Sequence, residues 1–222
     1  MLLRVRVRLP DRPGSLGKVA RVLGVAGADV VQMAVLERDN GRALDDFTVA
    51  WPAGAGIDRL CDGLASIPGV DIIGIWPTAE PQGAFPDAAL IGQLAGDPER
   101  GPLTLTDAVP AILSADWAGL VDPERSTGFE GGAGAVLTHV SVGGPDKVEV
   151  PELVPVRARA FTAEDGTQYA ISPMADGLVL LVARTGAPPF HRTEVFRLSQ
   201  LVQAAEAVLG TRAAGVGAVQ SS

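Results

Sequence analysis

From Leu3 to Leu9 apolar and charged positions alternate strictly, with Leu3, Val5, Val7 and Leu9 on one face and Arg4, Arg6 and Arg8 on the other. That period of two is the signature of a half-buried β-strand. Pro10-Asp11-Arg12-Pro13-Gly14-Ser15 breaks the alternation with turn residues. Leu16, Val19, Ala20, Leu23 and Ala26 then recur at helical spacing, with Ser15 as the expected N-cap and Gly24 or Gly27 as the expected stop. A second strand is expected over Val30 to Leu36, apolar on both faces. Asp39-Asn40-Gly41 signals a hairpin, because Asn-Gly accepts the positive φ angles of such turns. The third strand follows near Leu44 to Trp51, with Phe47, Val49 and Trp51 on one face. Ile57, Leu60, Cys61, Leu64 and Ile67 trace a second helix, Pro68-Gly69 ends it, and Val70 to Trp76 reads as the fourth strand.

The order strand, helix, strand, strand, helix, strand contains two interleaved right-handed βαβ crossovers. It predicts a four-stranded antiparallel sheet with both helices on one face, a ferredoxin-like α+β plan. The first and third strands are neighbours in that plan, so Asp46 is expected to pair with Arg4, Arg6 and Arg8 in a cross-strand ladder. Val31, Met33, Val35, Ile73 and Ile75 leave apolar area on the sheet, a surface that predicts a partner.

The texture changes between Pro77 and Pro102, where prolines and glycines intersperse. The expected division is 1–77 for the first domain, 78–102 for a Pro/Gly-rich linker with a short helix over Asp87 to Leu94, 103–210 for a second domain and 211–222 for a flexible tail. In the second domain a helix over Leu105 to Ser114 precedes a strand at Asp116 to Val121. Further strands are expected at Ala135 to Val142, Val154 to Phe161, Gln168 to Met174 and Leu178 to Arg184. Val195, Leu198, Leu201, Val202, Ala205, Val208 and Leu209 place a long closing helix over Arg192 to Leu209.

The chain has 222 residues, of which 47% are hydrophobic and 20% charged, ample for packed cores. Its 26 acidic and 18 basic residues, a formal net charge of -8, argue against a nucleic-acid partner. The one cysteine, Cys61, cannot form an internal disulfide and is expected to be a buried inert thiol. The apolar run from Leu178 to Ala183 is far short of the roughly 20 residues that cross a bilayer, and the N-terminus lacks a signal-peptide pattern. These features predict a cytoplasmic protein with no membrane partner.

Asp11-Arg12-Pro13-Gly14-Ser15-Leu16 after a strand and before an amphipathic helix, with Gly27-Ala28-Asp29-Val30 leading into the second strand, resembles the ACT family of amino-acid-sensing domains. The match covers Leu3 to Trp76, about a third of the chain. The resemblance implies an amino-acid effector held between this turn and the second strand of a partner module in a homodimer built through the sheet. Carried over residue by residue, it points to Asp11, Gly14, Ser15, Leu16, Asp29 and Val30. The residues support a ligand there independently. A glycine lets backbone approach a ligand closely, and the first N–H groups of the helix favour a carboxylate. The chain departs from the family at Asp29, where Asn is frequent: an ionised Asp accepts an ammonium and repels a carboxylate. The other reading of the motif is turn chemistry and capping alone.

Leu103 to Gly210 resembles a GAF-type sensor domain, chiefly in the strand Leu178 to Arg184, the Gly/Pro turn through Gly186, Pro188 and Pro189, and the closing helix. A domain serving packing or dimerisation is the alternative. His139 and His191 lack metal-ligand spacing, and His191 with Glu194 reads as helix-start capping. Gly128, Gly131, Gly132 and Gly134 satisfy neither nucleotide fingerprint. Ser141 lacks a hydrolase context. The expectation is a non-catalytic regulatory protein with no cofactor and no metal, binding a small molecule of amino-acid type. The alternative is an interaction or dimerisation module without a small-molecule ligand.

Overall fold

Strand β1 (Leu2–Pro10) forms where the alternation places it: Leu3, Val5, Val7 and Leu9 are buried, Val5 and Val7 completely. The computed structural model describes residues 1–79, 85–123, 136–145, 153 and 156–219. The chain divides into two compact units, Met1–Glu80 with Gly186–Pro188, and Pro81–Thr185 with Pro189–Ser222.

In the first unit β1 is followed by α1 (Ser15–Val25), β2 (Asp29–Asp39), β3 (Arg42–Ala50), α2 (Asp58–Ala65) and β4 (Asp71–Pro77). The sheet runs β2-β3-β1-β4, antiparallel throughout. Val5, Val7, Phe47 and Val49 share one core with Val19 and Leu23 of α1 and Leu60 and Leu64 of α2, so both helices cover the same face. The β2–β3 hairpin turns at Asn40 and Gly41, both at positive φ. Helices α1 and α2 meet at Gly63, where an added Cβ would lie 2.7 Å from Val22 Cγ1. Cys61 is half-buried on α2.

Helix α1 starts one residue earlier than Ser15 as N-cap implies. Gly14 is the N-cap, at φ 86° and ψ -12°, and Ser15 is the first helical residue. The left-handed region needed to turn the chain out of β1 suits glycine, which has no Cβ to clash there.

The second unit opens with α3 (Pro86–Gly96), a 3-10 turn at Pro98–Arg100 and α4 (Gly101–Leu113). Strands β5 (Trp117–Asp122), β6 (Val136–Val140), β7 (Arg159–Thr162), β8 (Gln168–Pro173) and β9 (Val179–Arg184) follow, and α5 (Arg192–Val219) closes the chain. The antiparallel sheet has the order β6-β5-β9-β8-β7. Every residue of β9, at its centre, is buried. Leu90 and Leu94 of α3 pack in one core with α4, with α5 and with Leu120 and Leu180 of the sheet. Trp117, Tyr169 and Leu181 belong to a separate core. The stretch read as a linker therefore contains a helix whose i, i+4 leucines belong to the core of the second unit. Helix α5 continues past Gly210 to Val219. The Gly-rich run at Gly128, Gly131, Gly132 and Gly134, and the strand start expected at Val154 and Pro155, lie outside the described residues. The architecture is a two-unit α+β fold, with antiparallel sheets of four and five strands and five α-helices among the described residues.

Candidate functional site

The β1–α1 turn is held by its own backbone. Asp11 N–H donates to Gly41 O at 2.8 Å, Arg12 N–H to Pro10 O at 3.0 Å, Ser15 N–H to Arg12 O at 3.2 Å and Lys18 N–H to Gly14 O at 3.3 Å. No side chain caps α1. The N–H groups of Leu16 and Gly17 thus stand at the positive end of the helix, a position that favours an anion. An added Cβ at Gly14 would meet nothing within 4 Å, so the space around the turn is open. Ser15 is buried and Leu16 is 39% exposed.

Of the six residues named from the sequence, Asp11, Gly14, Ser15 and Leu16 come together at this turn. Asp29 and Val30 do not join them within one chain. Asp29 pairs with Ala50, which also faces Leu2 at the start of β1, whereas the turn follows Pro10, which pairs with Arg42. The two groups are separated by the length of the sheet, about 25 Å at some 3.3 Å per residue. Strand β2 is the sheet edge and has no buried residue. Val30, Val31, Met33 and Val35 along it are 39%, 48%, 37% and 47% exposed.

Arg38 of β2 reaches the turn, donating from its guanidinium to Asp11 Oδ1 at 2.8 Å. On the helix-bearing face of the sheet lies Asp45, between Val7 of β1 and Val35 of β2 in register. Asp45 is 3% exposed, and its Oδ1 is sealed from solvent without a hydrogen-bond partner. Burial pushes its carboxyl above the ordinary aspartate range, Arg38 pulls it down, and Asp11 and Asp46 push it up. Sequence reasoning missed Asp45. The signal was present, since alternation from Phe47, Val49 and Trp51 assigns position 45 to the apolar face.

Asp46 faces the other way. It accepts from Arg6 Nε at 2.6 Å and Arg6 NH2 at 2.8 Å, and from Arg4 NH1 at 3.4 Å, while Arg6 stands 5.3 Å from the centre of the Trp76 ring. This is the expected charge ladder, reduced to two of its three arginines.

In the second unit His139 Nε2 lies 2.9 Å from Asp107 Oδ1, a pair that α4 and β6 bring together across 32 residues of sequence. Ser141 Oγ accepts from Ala118 N–H at 2.8 Å, a structural use of that hydroxyl. His191 N–H donates to Glu194 Oε2 at 2.7 Å, the helix-start capping read from the sequence. Among the described residues no three His, Cys, Asp or Glu side chains gather as metal ligands, and no helix is long and apolar enough to cross a membrane.

No protein-family model matches the chain, and no curated protein matches it. Among solved structures the chain is similar to a formyltetrahydrofolate deformylase from Pseudomonas putida, 16% identical over 44% of this chain and 39% of that one, at a TM-score of 0.32. It is similar to GqqA, described as a novel type of quorum quenching acylase, at 21% identity over 36% of this chain and 43% of that one, with a TM-score of 0.28. It is also similar to an unknown protein from Galdieria sulphuraria, 13% identical over 94% and 93% of the two chains, at a TM-score of 0.31. The chain thus spans about two-fifths of the length of the first two.

Proposed function

We propose that the first unit is an ACT-type regulatory module that binds a small effector of amino-acid type at the β1–α1 turn. In this reading the chain is a cytoplasmic, non-catalytic sensor, and its second unit is a GAF-like domain. The observation that carries the reading is the open turn at Gly14, whose left-handed backbone presents an uncapped helix N-terminus.

The same reading makes the protein a homodimer through the edge of its sheet. An exposed edge strand of 11 residues with apolar side chains is a template for pairing. A two-fold antiparallel pairing of β2 centred on Ala34 sets Asp29 of one copy opposite Asp39 of the other. It also sets Val30 beside Arg38. The residues that one chain keeps at two ends of its sheet are then gathered at one turn.

Thermal-shift measurements with the twenty amino acids at millimolar concentration test the reading. A stabilising ligand at about 100 times its Kd adds about 2.7 kcal/mol. One or a few amino acids are expected to raise the melting temperature, and Gly14→Val, strained at φ 86°, is expected to abolish the rise. No stabilisation by any of the twenty removes the amino-acid reading. The exposed apolar side chains of Val31, Met33, Val35 and Ile73 favour a second reading, an interaction module without a small ligand. A Gly14→Val variant that dimerises and functions like wild type would support it.

A further inference from the structure

We infer that Asp45 is the acceptor for a ligand ammonium group, and that the slot beside the β1–α1 turn selects ligands carrying a primary amine next to a carboxylate. The inference rests on the proposed binding turn and adds the residue that sets its selectivity.

Three observations lead there. First, Asp45 is a carboxyl on the apolar face of β3 with an oxygen sealed from solvent and without a donor. A buried polar atom without a partner is destabilising, and a charged one more so, so the position is unfavourable for the empty fold. Second, it lies next to the exposed edge strand of the sheet. Val35, directly opposite on β2, is 47% exposed, and Arg38 stands opposite Ala43, the next position along that face. Third, the strongest charges felt by Asp45 are those of Arg38 on β2 and Asp11 on the turn, with Asp46 on its own strand behind them. Arg38 and Asp11 are spent on each other in an exposed pair, their side chains 69% and 31% exposed. Exposed pairs of this kind hold weakly, so a zwitterion can open the bridge.

The chemistry of the slot is then complementary to an α-amino acid. The ammonium lies on Asp45, where burial strengthens a charge-assisted hydrogen bond. The carboxylate lies on the N–H groups of Leu16 and Gly17, with Arg38 available once it leaves Asp11. A carboxylate lacking the amine leaves Asp45 unpartnered, and a site built to bond an amine rejects such an analogue strongly. Asp29, whose carboxylate can also accept an ammonium, lies at the far end of its own sheet and reaches the turn only from a second copy.

The experiment uses the full chain and the amino acid that stabilises it most in the thermal-shift series. Its deaminated analogue is the control. Calorimetric titrations compare wild type, Asp45→Asn and Asp45→Thr. Expected are binding to wild type, about 10- to 100-fold weaker binding to both variants, and little binding of the deaminated analogue to any of them. The variants without ligand are expected to melt at or above the wild-type temperature at neutral pH, which separates lost binding from lost folding. Equal affinity for wild type and both variants overturns the role of Asp45 and leaves the binding turn standing. Equal affinity for the deaminated analogue overturns the amine selectivity. No binding of any amino acid to wild type overturns both.

Discussion

Arg6 and Asp46 form a bidentate ion pair across β1 and β3 with both side chains 2% exposed. Removing Asp46 takes the carboxylate away from a buried guanidinium, a change that is costly in a low-dielectric site. Asp46→Ala is therefore expected to cost about 3–5 kcal/mol, a large share of an ordinary domain's stability. The double replacement Arg6→Met with Asp46→Leu is expected to recover most of that loss. Urea titrations of these two variants and of the single replacements Arg6→Met and Asp46→Leu check both statements, and additive losses would contradict the coupling.

Close approach of α1 to α2 depends on Gly63, whose missing Cβ leaves room for Val22. Gly63→Ala forces the helices apart and is expected to destabilise by about 1–3 kcal/mol, since overpacking strains a filled core. The helix propensity of alanine opposes this by about 1 kcal/mol, so the net sign tests the contact. Truncating the neighbour as well, in Gly63→Ala with Val22→Ala, is expected to restore part of the stability in a thermal melt.

The first unit was legible because each element announces itself with one period and ends on a turn residue: alternation from Leu3 to Leu9, helical spacing from Leu16, Asn40-Gly41 at the hairpin. Helix α3 is expected over Asp87 to Leu94 and runs over Pro86–Gly96, but its place in the core of the second unit was masked by prolines and glycines that look like a linker; Pro86 sits in the first turn of the helix, where its missing N–H costs nothing. At the candidate site the turn was legible and Asp45 was not. The alternation assigns it inward, opposite to Asp46, and the register confirms that the two acids face opposite sides of one strand; what alternation does not show is that the inward carboxyl lacks a partner. The distance between Asp29 and the turn follows from the same hairpin register.

Burial of Asp45 makes stability depend on pH in a defined direction. Its native carboxyl is raised above the ordinary value of 3.8, so the fold binds that proton more tightly than the unfolded chain does. The resulting stabilisation is complete below about 3.8 and is lost as pH rises through the native value. Asp45→Asn removes this penalty. Its melting temperature is expected to exceed that of wild type at pH about 7 and to match it at pH about 3. A variant whose difference from wild type stays constant over that range would show that Asp45 ionises freely in the fold. Gain in stability with loss of ligand response is the trade-off expected of a binding residue.

Glu194 links the central strand of the second unit to the helix that closes it. Its carboxylate accepts from Arg184 NH1 at 2.9 Å and NH2 at 3.2 Å, and from the backbone N–H of His191 at 2.7 Å. The Arg184 guanidinium lies 3.9 Å from the centre of the Phe190 ring and is itself 1% exposed. One acid thus neutralises a buried cation on β9 and caps the first turn of α5. Glu194→Ala removes both and is expected to cost about 3–5 kcal/mol. Glu194→Gln keeps one acceptor oxygen, sets an amide NH2 against a facing donor and loses the charge, and is expected to fall between Ala and wild type. His191→Ala is expected to cost under about 1 kcal/mol, because the capping bond uses its backbone, while its ring Nδ1 lies 2.9 Å from the Thr193 hydroxyl two residues on. Chemical denaturation ranks the three variants, and a His191→Ala loss as large as that of Glu194→Ala would assign the junction to the imidazole instead.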